Sequence, residues 1–147
     1  MAIVQAFCTS FKVELMEAVH NLTNGQDVIK CALFRSQALI SGSFGAATTN
    51  YSPMGTDEAS GTNYSAGGIS LTNVTPTSSG TTAYADFADA VFSNVTITTS
   101  GALLYNSSKS NKALIVLNFG ADKIATAQAL TIVFPTADAN NAIIRLT

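Results

Sequence analysis

At 147 residues with a formal net charge of −2, the chain has the length of one domain and can bury a core without disulfide or metal staples. Its seven lysines and arginines are scattered from Lys12 to Arg145 with no basic stripe, which argues against direct contact with nucleic acid, and no apolar run approaches the roughly 18 residues of a membrane span. Charged residues are only 11% of the chain and hydrophobic ones 47%, so the polar surface comes from Ser, Thr, Asn and Gly, and little charge is stripped of water when such a surface docks on other protein.

From the N-terminus, MAIVQAFCTSFK lacks the basic start, unbroken apolar core and small-residue cleavage site of a secretory signal. Phe7, Phe11, Leu15, Ala18, Val19 and Leu22 recur at spacings of four, four, three, one and three, which predicts an amphipathic helix over 6–21 lying on a sheet. Lys12, Glu14, Glu17 and Asn21 take its other face, and Asn24-Gly25 closes it in left-handed backbone. Cys8 and Cys31 sit in apolar settings as small core residues; a disulfide between them is disfavoured in a reducing compartment. From Asp27 to Arg35 the period changes to two, which is a strand.

Residues 41–68 are dominated by Gly, Ser, Thr, Asn and Ala without a sustained apolar period, and structureless segments of that length carry function or order against a partner. Tyr51, Pro53, Met54 and Tyr64 punctuate the segment as candidate partner contacts, either plugging into a neighbouring surface or folding back as a lid on this chain's own sheet. Ile69, Leu71 and Val74 form a short strand that Pro76 ends, followed by a turn over 77–80. Thr82 to Phe92 alternates weakly, Ser93-Asn94 interrupts, and Val95, Ile97 and Thr99 lead into GALLYNSSKSNKALIVLNF, Gly101 to Phe119. There two apolar runs flank a polar connector from Asn106 to Lys112, the pattern of a β-hairpin. Ala113 to Leu117 are apolar at five consecutive positions, so that strand is central and covered on both faces. Residues 120–128 read as a connection, Leu130, Ile132 and Phe134 as a strand ending at Pro135, and Ala142 to Leu146 as a terminal strand. About eight strands and one N-terminal helix predict a mainly β, antiparallel, jelly-roll-like β-sandwich forming a single domain over 1–147.

The inventory of reactive residues is thin. His20, the single histidine, falls at the end of the predicted helix, where it caps the C-terminus, and no Ser or Cys nucleophile is placed with it. Asp86 and Asp89, three apart on a strand, point to opposite faces and make no glycosidase pair unless a bulge turns one, while Asp57, Glu58, Asp122 and Asp138 read as solvated loop charges. Ala66-Gly67-Gly68 lacks the Lys-Ser/Thr ending of a phosphate loop, and neither calcium nor zinc finds a ligand set. Six Asn-x-Ser/Thr triplets, beginning at Asn21, Asn50, Asn63, Asn73, Asn94 and Asn106, follow from composition in a chain with no export signal. The expectation is a protein with no catalytic residue, cofactor or metal.

AFCTSFK with the helix after it, GTNYSAGGISLTNV from Gly61, ADFADAVFSNVTITTSGALLYN from Ala85, and NKALIVLNFGADK with LTIVFPTADANNAIIRL toward the end together resemble small virion proteins of tailed bacteriophages, over most of the chain. The resemblance implies a capsid decoration or cement protein, made in the bacterial cytoplasm and placed in many copies on the outer head, with the major capsid protein and other copies of itself as partners and with no nucleic acid or membrane. The alternative within the same class is a tail or baseplate component touching host glycans.

Overall fold

In the computed structural model, which describes residues 2–147, one antiparallel hairpin runs through the whole molecule. Its strands are β8, Ala90–Asn106, and β9, Lys112–Ile132, joined through a five-residue turn in which Ser110 and Asn111 take left-handed backbone. Near that turn every residue from Gly101 to Asn106 and from Ala113 to Val116 is buried. The cover comes from both sides in the sheet plane and from above. β3, Ile29–Phe34, pairs with β8 from Ile29 opposite Asn106 to Phe34 opposite Gly101; β5, Ile69–Ser70, extends the sheet beyond β3; β2, Ala6–Phe7, pairs with β9 at Val116 and Ile115. The five-stranded sheet thus has the order β2-β9-β8-β3-β5.

A second antiparallel sheet has the order β10-β7-β6, built from β6, Asn73–Ser79, β7, Thr82–Phe87, and β10, Ile144–Leu146. Pro76 does not end β6 as its sequence predicts. β6 is an edge strand with a register shift between Val74 and Thr77, the setting in which a missing amide donor is tolerated. A parallel pair of two-residue strands, β1, Ala2–Ile3, and β4, Ser43–Phe44, completes the described elements. Over the described residues the molecule is therefore mainly β, with one α-helix, two antiparallel sheets and one short parallel pair.

Two further expectations need correction. The helix predicted over 6–21 is α1, Thr9–Met16, only eight residues. Its first predicted turn is taken by pairing of Ala6 and Phe7 with β9, and Ala18, at φ +57°, bends the chain so that His20 and Leu22 turn inward. The helix buries Phe11 but also Glu14, which its periodicity placed in solvent. The connection predicted over 120–128 is instead the continuation of β9.

The hairpin's outer half is bent, not straight. Register shifts fall between Phe92 and Val95 and between Val95 and Ile97, with Asn94 and Ala127 in left-handed backbone on the two strands, and the Thr96 hydroxyl accepts the Ala127 amide at 3.0 Å. Bulges of this kind kink a ribbon and increase its twist. Leu117 and Ile132 are separated by enough chain to lie about 50 Å apart if extended. They nevertheless line one cavity of about 420 Å³ with Phe7, Phe134 and Pro135, so the far end of β9 curls back toward its start.

Residues 41–68 are packed down rather than free. Gly68 lies so close to β3 that a Cβ on it would come within 1.7 Å of the Cys31 carbonyl oxygen, and its φ of +74° already excludes most side chains. We expect Gly68→Ala to destabilise the fold by about 3 kcal/mol or more, a fall of roughly 6–12 °C in Tm measured by thermal unfolding.

Candidate interaction surface

The four residues expected to meet a partner have separate fates. Met54 is fully buried, Tyr51 and Tyr64 are half-buried, and only Pro53 is exposed. Tyr51 stacks on Tyr105 of β8 at a ring separation of 4.5 Å, and the Tyr64 hydroxyl accepts the Leu33 amide of β3 at 2.8 Å. The segment folds back as a lid, and a 3₁₀ turn over Ser52–Asp57 carries Met54 into the core.

Two carboxylates read in sequence as solvated loop charges hold this lid. The Glu58 Oε1 accepts from the Tyr64 hydroxyl at 2.7 Å and the Gly67 amide at 2.6 Å, its Oε2 accepts from the Tyr51 hydroxyl at 2.6 Å, and Tyr105 donates to the Gly67 carbonyl at 2.7 Å. Asp57 accepts from the Ser41 and Gly42 amides, from the Ser41 hydroxyl and from Arg35 Nη2 at 2.7 Å. Burial pushes Asp57 up, but those amides, that hydroxyl and the guanidinium outweigh it and hold its carboxyl below the ordinary range.

His20 does not cap the helix, which ends four residues earlier. Its ring is buried edge-on against Phe11. Glu14 Oε2 lies 2.7 Å from Nε2, and Asn106 Nδ2 lies 2.9 Å from Nδ1. The Asn106 amide is fixed because its nitrogen also donates to Asp27 at 2.7 Å while its oxygen accepts the Ser108 amide at 3.0 Å. This orientation makes Nδ1 the acceptor and Nε2 the donor. Both ring nitrogens are therefore occupied inside the fold. Lys112 completes the group by donating to Glu14 at 2.8 Å.

The remaining candidates are likewise engaged in structure. Cys8 and Cys31 are buried free thiols, pushed up to about 11 and about 12, in both cases chiefly by burial, and so stay protonated. Asp86 is buried and receives the Phe87 and Ile143 amides, while exposed Asp89 caps the Phe134 amide at 2.9 Å. Burial first, then Asp89, raises Asp86 above the ordinary carboxylate range. Among the described residues no group of three metal-ligating side chains converges, and no helix is long and apolar enough to cross a membrane.

What the molecule does offer outward is the outer half of β9. From Gly120 to Ala129 every residue except Ala125 is exposed, Asp122 and Lys123 are its only charges, and Ile124 is 69% exposed. Among the described residues β2 is its sole strand neighbour on the side away from β8, and β2 reaches only Val116 and Ile115. Phe119, Ile124, Leu130, Ile132 and Val133, with Asp122 and Lys123 among them, line a mainly apolar concavity of about 710 Å³ that adjoins the cavity under Pro135 through Ile132 and Val133. An open, nearly uncharged strand edge beside a large apolar hollow is what proteins elsewhere cover or charge when they stay single. Sequence reading passed over these residues because Gly120-Ala121-Asp122-Lys123 carries turn chemistry; the signal that was present is the period-two spacing of Leu130, Ile132 and Phe134, which extends the strand backwards.

Burial, with Glu58 next in order, raises Tyr51 well above the ordinary phenol value; burial dominates at Tyr64 and also takes Tyr105 up to about 12. A phenol raised in the folded state stabilises it below the unfolded value of about 10 and ceases to do so as pH rises through the folded value. In an alkaline titration, phenolate absorbance from these three tyrosines should therefore appear together with loss of circular dichroism above pH about 11. Glu58→Ala, which strips two phenols and an amide of their acceptor, should cost about 2–4 kcal/mol in urea unfolding, and Glu58→Gln should recover at least half of that. No protein family profile, curated protein or solved structure matches this chain.

Proposed function

We propose that the chain is a structural protein of a tailed-phage virion, acting as a head decoration or cement protein that bridges neighbouring major capsid proteins and stabilises them. The observation that carries the reading is the outer half of β9: an exposed strand with a free edge, two charges and an adjoining apolar hollow. Such a surface loses little when dehydrated and offers backbone donors and acceptors to another chain's strand. The reading is supported further by the fate of the reactive side chains, since His20, both cysteines and Asp86 are consumed by internal packing and hydrogen bonds. We read the two antiparallel sheets as the layers of a jelly-roll-like sandwich, a rigid scaffold suited to this work.

Individual contacts in such a role can be weak. A copy that engages two capsomers at once gains about 10²- to 10⁴-fold in avidity through effective concentration, and binding that requires the assembled shell stabilises that shell by mass action. Other copies of the same chain are its natural neighbours on a repeating lattice, and assembly takes place in the bacterial cytoplasm.

Mass spectrometry of separated heads and tails from the particles that carry this protein should find it on heads; its presence on tails alone would reject the head assignment. The double substitution Ile124→Asp with Val133→Asp should lower the particle-bound fraction at least tenfold in a sedimentation assay, while Tm stays close to that of the parent because both side chains are exposed.

A further inference from the structure

Adjoining the apolar hollow at Ile124 lies a second, chemically different cavity of about 430 Å³, within the range that accepts a small ligand. Its walls are preformed. Gly61 sits against β8 so closely that a Cβ would come within 2.1 Å of the Thr96 carbonyl oxygen, and Thr62 exchanges two backbone hydrogen bonds with Thr96, which fixes Ser60 at the rim.

The lining combines uncommitted hydroxyls with apolar floor. Ser60, Thr98 and Thr126 face the cavity, and their hydroxyls have no hydrogen-bond partner among the described residues. Ile124, 69% exposed, and Leu39, 60% exposed, supply aliphatic surface, whereas Ile97 is turned into the core. Arg35 also lines the cavity; its Nη2 is taken by Asp57, whereas Nη1 has no partner among the described residues.

Three features narrow the ligand class. The positive charge of Arg35 is already matched by Asp57 at 2.7 Å, and the one other ionisable residue on the wall is Glu58, so a net anion gains nothing here. No aromatic ring lines the cavity, so a nucleobase finds no stacking platform. Hydroxyls spaced around aliphatic carbon match a molecule that itself carries hydroxyls around an aliphatic ring. We propose that this cavity is a binding site for a neutral saccharide of one or two rings, its hydroxyls bonded by Ser60, Thr98, Thr126 and Arg35 Nη1 and its C–H face resting on Leu39 and Ile124. The site borders the β9 hollow through Ile124 but takes a different ligand and does not depend on the capsid assignment.

The test is titration of the intact chain with maltose, cellobiose and N,N′-diacetylchitobiose, followed by amide chemical shifts, with sialyllactose and inorganic phosphate as charged comparisons. The expected result is saturable binding of at least one neutral disaccharide in the millimolar range, with shifts centred on Ser60, Thr98 and Thr126. Ser60→Trp, which fills the rim without touching Asp57, should weaken that binding at least tenfold. Thr126→Trp on the facing wall should do the same, and serves if the first variant fails to give a folded spectrum. Absence of shifts with all three neutral sugars, shifts that map elsewhere, binding indifferent to both tryptophans, or equal or tighter binding of sialyllactose or phosphate would each overturn the proposal. Particle location is read independently, so failure here leaves the virion role standing and the reverse also holds.

Discussion

Residues 101–106 and 113–116 leave no side chain facing water, and a two-stranded ribbon cannot provide that cover by itself. The rest of the molecule supplies it. β3 and β2 flank the ribbon in its own plane, α1 lays Phe11 on it, and residues 41–68 close over β3 and β8 with Met54, Tyr51 and Tyr64. A strand apolar on both faces forces neighbouring segments that look polar in sequence to become core.

Bringing a polar segment down onto a core creates a second problem, because its amides and hydroxyls lose water. Unsatisfied, each such group costs about 1–3 kcal/mol. Asp57 and Glu58, adjacent in the chain, answer it in two directions: one collects the Ser41 and Gly42 amides and Arg35, the other two phenols and the Gly67 amide. A similar arrangement sits at the hairpin turn, where Glu14, His20, Asn106 and Asp27 form one line of hydrogen bonds between the helix end and the turn. The few charges of this chain are concentrated where backbone needs an acceptor, which leaves the outer half of β9 nearly bare.

The hairpin was legible because five consecutive apolar residues beside turn chemistry admit few readings, and the strand at Ile29–Phe34 was legible from its alternation. What escaped notice depended on tertiary pairing. Ala6 and Phe7 fit a helical stripe, yet β9 recruits them as an edge strand, and nothing local in AFCTSFK announces that. Asp57-Glu58 resembles a solvated loop pair in any window of sequence, since the phenols that Glu58 serves, Tyr51 and Tyr64, lie seven residues before and six after it and meet it only in the fold. The exposed surface of β9 was masked by Gly120 and Asp122, which signal a turn unless the register with Thr98 and Thr99 is already known.

The pairing of Ala6 with Val116 sets an order in time as well as in space. While the ribosome is still adding residue 100, β2 lacks its partner on β9 and β3 lacks its partner on β8, because residues 101–116 are made later. Full pairing of β2 and β3 therefore follows emergence of the hairpin. Chains dominated by such distant pairings fold in milliseconds to seconds rather than microseconds. That interval leaves the sticky edge of β9 without its finished surroundings.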